Sequence, residues 1–183
     1  KEEEKAAVLP VVEQIVAALT GAGIRLKVDD RENVSPGFKF NEWEQRGVPL
    51  RLEIGPRDVQ NKNVMTSRRD MPGKPGKKIM PQENIERWVP ELLDEIQQAM
   101  YDNAVAFRDS HISEPGDYEE FKQAVENGWA YSWWCEGEAC EAEIKTETKA
   151  TTRCMPLDQP EAEGTCIHCG KPAKKKIYFA KAY

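Results

Sequence analysis

The stretch Gly47-Val-Pro-Leu-Arg-Leu-Glu-Ile-Gly-Pro-Arg-Asp58 contains the clearest strand pattern in the chain. Apolar and charged residues alternate from Leu50 to Ile54, which is typical of a strand with one buried face. Gly55 and Pro56 then end the pattern, because glycine and proline interrupt regular structure. The sequence therefore predicts a half-buried strand at this point.

Further strands and helices are predicted on both sides of that strand. The same alternation occurs at residues 24–28, and a third strand is predicted at residues 63–67. Helical spacing of apolar residues is clear over residues 11–19 and 85–107, and a short helix is predicted over residues 35–44. Strands that alternate with helices indicate an α/β fold, here an open mixed sheet flanked by helices.

Two prolines bear on the predicted helices. Pro10 is expected near the start of the first helix, where a missing N–H costs little. Pro90 lies inside the second helical pattern and is expected to start a new helix or to kink an existing one. The apolar face of that pattern is predicted to extend as far as Met100 and Phe107.

Four cysteines form two close pairs, in Cys135-Glu-Gly-Glu-Ala-Cys140 and Cys166-Ile-His-Cys169. Pairs of this kind, brought together by a fold, make the tetrahedral thiolate cage that holds structural zinc. We expect Gly137 and Gly170 to provide the backbone freedom that short chelating loops need. Two disulfides, a redox C-x-x-C motif and a rubredoxin-like iron site are the alternatives. The fifth cysteine, Cys154, has no close partner and is predicted to pack as a small apolar residue.

The composition restricts the class of protein. The chain has 183 residues, of which 39% are hydrophobic and 32% charged, and no apolar run approaches the length of a membrane span. Its start lacks the features of a signal peptide, so we expect a cytoplasmic protein without a membrane partner. Reduced thiols in that compartment favour a metal cage over disulfides. Because the chain does not begin with Met, we expect a fragment or a processed form.

The distribution of charge points to a selective anionic partner. A net charge of −6 argues against binding nucleic acid without regard to sequence, which needs a basic surface. Residues 51–81, however, hold eight Lys and Arg against three acidic residues, whereas residues 82–130 hold three against twelve. One basic island in an acidic protein suits a local anionic partner; a solvated charged surface is the alternative.

The residue types that recognise single-stranded RNA are concentrated between positions 37 and 58. This segment supplies aromatic rings, carboxylates and guanidinium groups: Phe38, Phe40, Trp43, Glu44, Glu53, Arg51 and Arg57. Aromatic rings stack on splayed bases, and charged groups meet the Watson–Crick edges. Guanine presents two donors that suit a carboxylate and an oxygen that suits arginine. The alternative is that the rings belong to the core and the charges line a solvated strand. We predict no catalytic residues, since the only histidines are His111 and His168.

Several segments resemble prolyl-tRNA synthetase of the archaeal/eukaryotic-type branch. Pro36-Gly-Phe-Lys-Phe-Asn-Glu-Trp-Glu44, the stretch from Gly47 to Asp58, and Ala104-Val-Ala-Phe-Arg-Asp109 resemble its anticodon-binding domain. Ala150-Thr-Thr-Arg-Cys-Met-Pro156 and the end Ile177-Tyr-Phe-Ala-Lys-Ala-Tyr183 resemble its zinc-binding C-terminal domain. With a boundary at the Pro115-Gly116 region, the resemblance implies an anticodon-binding α/β domain at residues 1–110 and a small α+β zinc-binding domain at residues 111–183.

The resemblance carries further expectations. The whole enzyme is a class II homodimer that uses ATP and Mg²⁺ in an N-terminal catalytic domain to join proline to its tRNA. No segment of this chain matches the motifs of that domain, so the chain resembles the C-terminal part alone. Its implied partners are the anticodon loop of a proline tRNA and its own catalytic domain. Phe40, Glu44, Arg51 and Arg57 are implied to face the anticodon, and the carboxylate of Tyr183 to point toward the catalytic domain.

Three other classes of protein remain open from the sequence. A stand-alone zinc-ribbon module would bind RNA or protein partners without preferring one tRNA. An electron carrier would use the same cysteines to hold iron. A neighbouring class II synthetase of different specificity would share the anticodon-binding domain but not the four-cysteine unit.

Overall fold

The computed structural model describes residues 2–182, and the chain divides into two compact units, Lys1–Asp102 and Asn103–Tyr183. The division falls inside one helix, Ile85–Ser110, whereas the boundary predicted from the sequence lies at the end of that helix. The boundary at residue 110 stays a prediction. None of the helices among residues 2–182 is long and apolar enough to cross a membrane.

The first unit contains helices packed on a three-stranded sheet. Its elements are α1 (Glu2–Gly21), α2 (Pro36–Gln45), β1 (Leu50–Glu53), α3 (Pro56–Asn61), β2 (Asn63–Arg68), β3 (Lys77–Pro81) and the first part of α4 (Ile85–Ser110). The strands pair in the order β1-β2-β3, and both pairs are antiparallel. The predicted strands at 50–54 and 63–67 and the predicted short helix at 35–44 are confirmed.

One face of this sheet forms the core of the unit. Side chains alternate across a strand, so the even-numbered residues of β1 to β3 share a face. Leu50, Leu52, Val64 and Met80 pack there against Ile15, Leu19, Ile85 and Val89 of α1 and α4. The odd-numbered residues lie on the opposite face, which carries the polar residues of the candidate interface.

The predicted strand at residues 24–28 is wrong. The backbone N–H of Ile24 bonds back to the carbonyl of Leu19 at 3.0 Å, and Leu26 and Val28 are 37% and 40% exposed. A strand needs a neighbour that completes its hydrogen-bond ladder, which alternation along the sequence does not provide. Within the described residues, β1 pairs with β2 alone, and residues 24–28 join neither strand.

Both prolines differ from expectation. Helix α1 begins at Glu2, so Pro10 lies inside it rather than near its start. Residues 2–9 are Glu, Lys, Ala, Val and Leu, mostly strong helix formers, and they extend the helix despite the missing N–H. Helix α4 runs through Pro90 without starting anew. The prediction that its buried face extends to Met100 and Phe107 is wrong, because these side chains are 47% and 67% exposed.

The second unit is a small α+β structure around a four-stranded sheet. Its elements after α4 are β4 (Ile112–Ser113), α5 (Tyr118–Asn127), β5 (Trp129–Trp134), α6 (Glu138–Thr148), β6 (Ala150–Cys154), β7 (Gly164–Thr165), β8 (Pro172–Ala173) and β9 (Lys175–Lys181). The sheet has the order β4-β5-β9-β6, with β4 and β5 parallel, and β7 pairs with β8 separately. Phe121, Ile144 and Phe179 centre the core. Helices flanking open sheets confirm the predicted fold class.

Candidate metal centre and candidate nucleic-acid interface

Four elements of the second unit bring the paired cysteines together. Cys135 follows β5, Cys140 lies in the first turn of α6, and Cys166 follows β7. Cys169 lies in the turn that leads to Gly170, whose φ of +69° is the left-handed conformation that favours glycine. Two segments distant in sequence thus meet at one end of the sheet.

The geometry of these thiols fits a tetrahedral metal ion. The four Sγ atoms of Cys135, Cys140, Cys166 and Cys169 lie within 4.8 Å of one another. Cys135 Sγ is 3.5 Å from Cys140 Sγ and 3.8 Å from Cys169 Sγ. A Zn–S bond of about 2.3 Å in a tetrahedron puts neighbouring sulfurs about 3.8 Å apart, close to this spacing. All four thiols are free, whereas a disulfide needs sulfurs about 2.05 Å apart. The residues present therefore fit a single metal ion.

The backbone freedom of the first chelating segment differs in part from expectation. Gly137 has an ordinary φ of −85° and caps the N-terminus of α6, while Glu136 takes the left-handed φ of 60°. A Cβ at position 137 would lie 3.3 Å from Cys135 Sγ. Glycine is thus needed at 137 for close approach to the sulfur, not for its backbone angle.

The thiols have different proton affinities. Burial raises the pKa of Cys140 and of Cys135. A hydrogen bond from the backbone N–H of Lys171 lowers the pKa of Cys169 to about 7. Metal ligation requires the thiolate, and a bound cation offsets the cost of burying that charge. Cys169 is therefore the thiol most ready to bind a cation first.

Two residues near the cluster do not belong to it. His168 Nδ1 lies 3.4 Å from Glu143 Oε2, and its ring contacts Tyr118 edge-on at a centroid distance of 4.9 Å. Cys154, in β6, is exposed, so the prediction that it packs as an apolar residue is wrong. Its strand has a register shift between Thr152 and Cys154, which takes the thiol out of the regular pleat.

In the first unit, Arg51 is the centre of a cluster that joins α2 to the sheet. Its Nη1 donates to Glu44 Oε1 at 2.7 Å and its Nε donates to Glu53 Oε1 at 3.0 Å. The guanidinium carbon lies 3.9 Å from the centre of the Phe40 ring, a cation–π arrangement. Lys77 Nζ lies 3.9 Å from Glu53 Oε1. Four of the predicted interface residues therefore form one contiguous site.

Local contacts fix α2 against this site. Ser35 caps the helix by accepting a hydrogen bond from Phe38 N at 3.3 Å. At the other end of the helix, Arg69 Nε donates to the carbonyl oxygen of Glu44 at 2.9 Å. The ring of Phe40 and the carboxylate of Glu44 are thus presented by a helix that is held at both ends.

The other sequence candidates lie apart from the Arg51 cluster. Arg57 is exposed in the first turn of α3 and makes no ion pair or hydrogen bond among residues 2–182. Phe38 is 56% exposed on α2. Trp43 is occupied differently, since its Nε1 donates to Asp29 Oδ2 at 2.8 Å and Arg46 lies over its ring at 5.1 Å. Trp43 therefore anchors the helix and does not offer a free ring face.

The anchor of α2 was missed in the sequence, where residues 29–31 were interpreted only as a polar loop. Arg31 donates to both carboxylate oxygens of Asp29, at 2.8 and 2.6 Å, and to Glu42 Oε2 at 2.7 Å. The Arg31 guanidinium holds the pKa of Asp29 well below its usual range. The signal was a pair of opposite charges two residues apart, but their partners on α2 are set by the fold.

Replacing Asp29 should loosen α2 in a pH-dependent way. A carboxyl with a depressed folded pKa stabilises the fold fully above its unfolded pKa of about 3.9 and loses that effect as pH falls through the folded value. Asp29→Asn should therefore lower the melting temperature of the first unit at pH 7, and the difference from wild type should shrink as the pH falls toward 3. Thermal melts across this pH range measure the effect, with the exposed neighbour Asp30→Asn as matched control. An unchanged melting temperature at pH 7 would contradict it.

Comparison with known proteins places both units in one family. The family described as "Anticodon binding domain" matches residues 2–92, and the family described as "Prolyl-tRNA synthetase, C-terminal" matches residues 118–183. The two matches do not overlap and together account for most of the chain. Each falls on a different compact unit.

Individual relatives agree with these matches. A proline–tRNA ligase of Roseiflexus castenholzii is 48% identical over 98% of this chain and 37% of its own length. A chloroplastic/mitochondrial proline–tRNA ligase of Arabidopsis thaliana is 44% identical over the whole chain and 34% of its own length. The crystal structure of prolyl-tRNA synthetase from Cryptosporidium parvum, complexed with L-proline and AMP, matches with a TM-score of 0.85 and 33% identity, over 95% of this chain and 37% of that one.

The chain thus spans little more than a third of the length of each of these relatives. The resemblance inferred from its motifs is confirmed over both units. This chain belongs to the prolyl-tRNA synthetase family, of which it contains the anticodon-binding domain and the C-terminal domain.

Proposed function

We propose that this chain is the C-terminal part of a proline–tRNA ligase and that its first unit recognises the anticodon loop of proline tRNA. The observation that carries the proposal is the Arg51 cluster, in which a ring, a guanidinium and two carboxylates converge within an anticodon-binding domain. The whole enzyme would join proline to its tRNA with ATP and Mg²⁺ bound in a catalytic domain outside this chain.

Each residue of the cluster has a chemical role in this proposal. Phe40 stacks on a base, Glu44 accepts from the N1–H and N2–H₂ donors of guanine, and Arg51 donates to O6 or to phosphate. Glu53 holds Arg51 in place through the 3.0 Å bond to Nε. Arg57 supplies an exposed positive charge for phosphate. In the free protein Arg51 covers Phe40 and occupies Glu44, so guanine binding exchanges one donor for another.

The second unit has a structural role in the proposal. Cys135, Cys140, Cys166 and Cys169 would hold one Zn²⁺, which ties β5, α6 and the β7–β8 hairpin together. Four free thiols in a single cluster support a reducing compartment, and we place the protein in the cytoplasm, although the Arabidopsis relative is named chloroplastic/mitochondrial. The whole enzyme would be a homodimer. The proposed contact of Tyr183 with the catalytic domain lies outside the described residues.

Binding of two matched RNAs tests the function. The chain should bind a stem-loop with the proline anticodon more tightly than the same stem-loop with both anticodon guanines replaced by adenine. Fluorescence anisotropy with labelled RNA at fixed salt measures both affinities, because salt alone changes phosphate binding. Equal affinity for the two RNAs would contradict anticodon recognition and favour a stand-alone zinc-ribbon module.

Elemental analysis tests the metal. We expect one zinc per chain in the purified protein and the same content in Cys154→Ser, since that thiol lies outside the cluster. Cys166→Ser should lose most of the zinc, because it removes one of four ligands from a buried position. Iron in place of zinc would favour the electron-carrier alternative, and a metal-free wild type would refute the site.

A further inference from the structure

The face of the first sheet that carries Arg51 extends beyond the cluster. Strand register aligns Arg51 with Ser67 and Ser67 with Lys77 in one row across the three strands. The next row on the same face aligns Glu53 with Met65 and Met65 with Ile79. We call these six residues the outer face. Successive residues on one face of a strand are about 7 Å apart, so the second row lies one short step from the first.

Two apolar side chains form a shelf in the second row. Ile79 is 63% exposed, on the edge strand β3, and Met65 beside it on the central strand is half-buried. Isoleucine is among the residues most often buried in folded proteins. Here it continues the surface of Met65 and leads directly to the carboxylate of Glu53. The shelf is therefore apolar in its floor and has a hydrogen-bond acceptor at one end.

The carboxylate of Glu53 has capacity that the cluster does not use. Its contacts with Arg51 and Lys77 both involve Oε1, at 3.0 and 3.9 Å. Within the described residues, Oε2 accepts no hydrogen bond and takes part in no ion pair. An ionised carboxylate has about four acceptor sites, so Oε2 can accept donors from a ligand while Oε1 keeps Arg51.

We propose that Met65 and Ile79 form a stacking platform for a second guanine of the anticodon loop, with Glu53 Oε2 accepting from that guanine's N1–H or N2–H₂. The inference rests on the proposed function. It adds a second base site beside the one at Phe40, Glu44 and Arg51. The two sites share Arg51 and Glu53, which lie two residues apart on β1.

The surroundings favour a nucleotide over a protein partner. The shelf has only two apolar side chains, and the outer face around it is charged at Arg51, Glu53 and Lys77. A stable protein interface needs a much larger surface, of about 800 Å² on each partner. A flat base above an apolar floor, with charged groups at its edge, needs no more area than the shelf offers.

The platform makes opposite predictions for two substitutions at one exposed position. Ile79→Ala should weaken binding of the proline anticodon stem-loop about threefold to tenfold, somewhat less than loss of a full aromatic stack. Ile79→Phe should tighten binding, because a ring stacks on a base better than a branched alkyl chain. Leu157→Ala is the matched control, since Leu157 is a fully exposed apolar residue of the second unit and should leave affinity unchanged.

Inosine tests the contact of Glu53. Inosine is guanine without the N2 amino group, so each of the two anticodon guanines can be replaced singly. The loss of affinity caused by inosine at one of the two positions should be smaller in Glu53→Gln than in wild type, which is the non-additivity expected of groups in contact. Equal losses in both proteins at both positions would overturn the assignment of Glu53.

The outcomes separate this inference from the proposed function. If wild type does not distinguish guanine from adenine anticodons, the proposed function fails and the platform with it. If wild type prefers guanine but both Ile79 variants bind as wild type does, the platform alone is overturned. The same holds if Ile79→Ala leaves RNA affinity unchanged but alters the sedimentation of the free chain, which would make the outer face a protein contact.

Discussion

Removal of the metal should unfold the second unit while the first unit stays folded. The four ligands come from the end of β5, the start of α6 and the segment around the β7–β8 hairpin, so the ion joins elements that share little else. Strands β7 and β8 are two residues each, too short to be stable as an isolated hairpin. Zinc binding to small structural sites contributes about 10–16 kcal/mol, comparable with the whole stability of a domain.

Amide hydrogen exchange measures this loss unit by unit. After treatment with a strong chelator, protection should fall first in α6 and residues 164–173 and then across β5 and β9, whereas β2 and α1 should keep theirs. Simultaneous loss in both units, or no loss in either, would contradict the prediction. Cys166→Ser should behave as the chelated wild type does. Cys154→Ser is the control, because its exposed thiol lies outside the cluster.

The features predicted correctly from the sequence are those with a local cause. The two cysteine pairs needed only their spacing, and the confirmed strands needed only alternation between punctuating residues. Residues 24–28 have the same alternation, but they lack a paired neighbour in the described structure, and no local pattern reveals that. Local pattern thus predicts strand tendency, and pairing decides the outcome.

Helix α6 shows the opposite failure. Residues 138–148 were interpreted as part of the cysteine loops because their apolar residues are few. The helix buries only Cys140, Ile144 and Thr148, a narrow stripe at a spacing of four residues. A metal ligand occupies one position of that stripe, so a residue assigned to chemistry also serves as packing.

The composition of the candidate interface was predicted, but its arrangement was not. Aromatic, acidic and basic residues near position 45 indicated RNA recognition, yet nothing in the sequence placed the guanidinium of Arg51 over Phe40. That contact depends on the anchoring of α2 by Asp29 and Arg69, which are remote from Arg51 in sequence. The second row of the outer face was missed for the same reason, since it follows from strand register.

Arg51→Ala should have the largest effect of any single change in the interface. It removes the proposed donor to guanine O6 and leaves Glu44 and Glu53 without the cation that pairs with them. Each lost contact to a base costs on the order of 1–3 kcal/mol, so binding of the proline anticodon stem-loop should weaken by about 10-fold to 100-fold. Binding of the stem-loop with both guanines replaced should weaken much less.

Arg46→Ala is a closely matched control for that experiment. Arg46 also lies over an aromatic ring, at 5.1 Å from Trp43, and pairs with a glutamate, Glu42, at 2.7 Å, but it makes no contact with the Arg51 cluster. It should change the two affinities little. Arg51→Lys keeps the charge and loses the planar fork, so it should retain phosphate binding and lose preference for guanine. If Arg51→Ala weakens both RNAs equally and Arg51→Lys restores both, Arg51 is a phosphate contact. If neither variant alters either affinity, the anticodon is bound elsewhere on the domain.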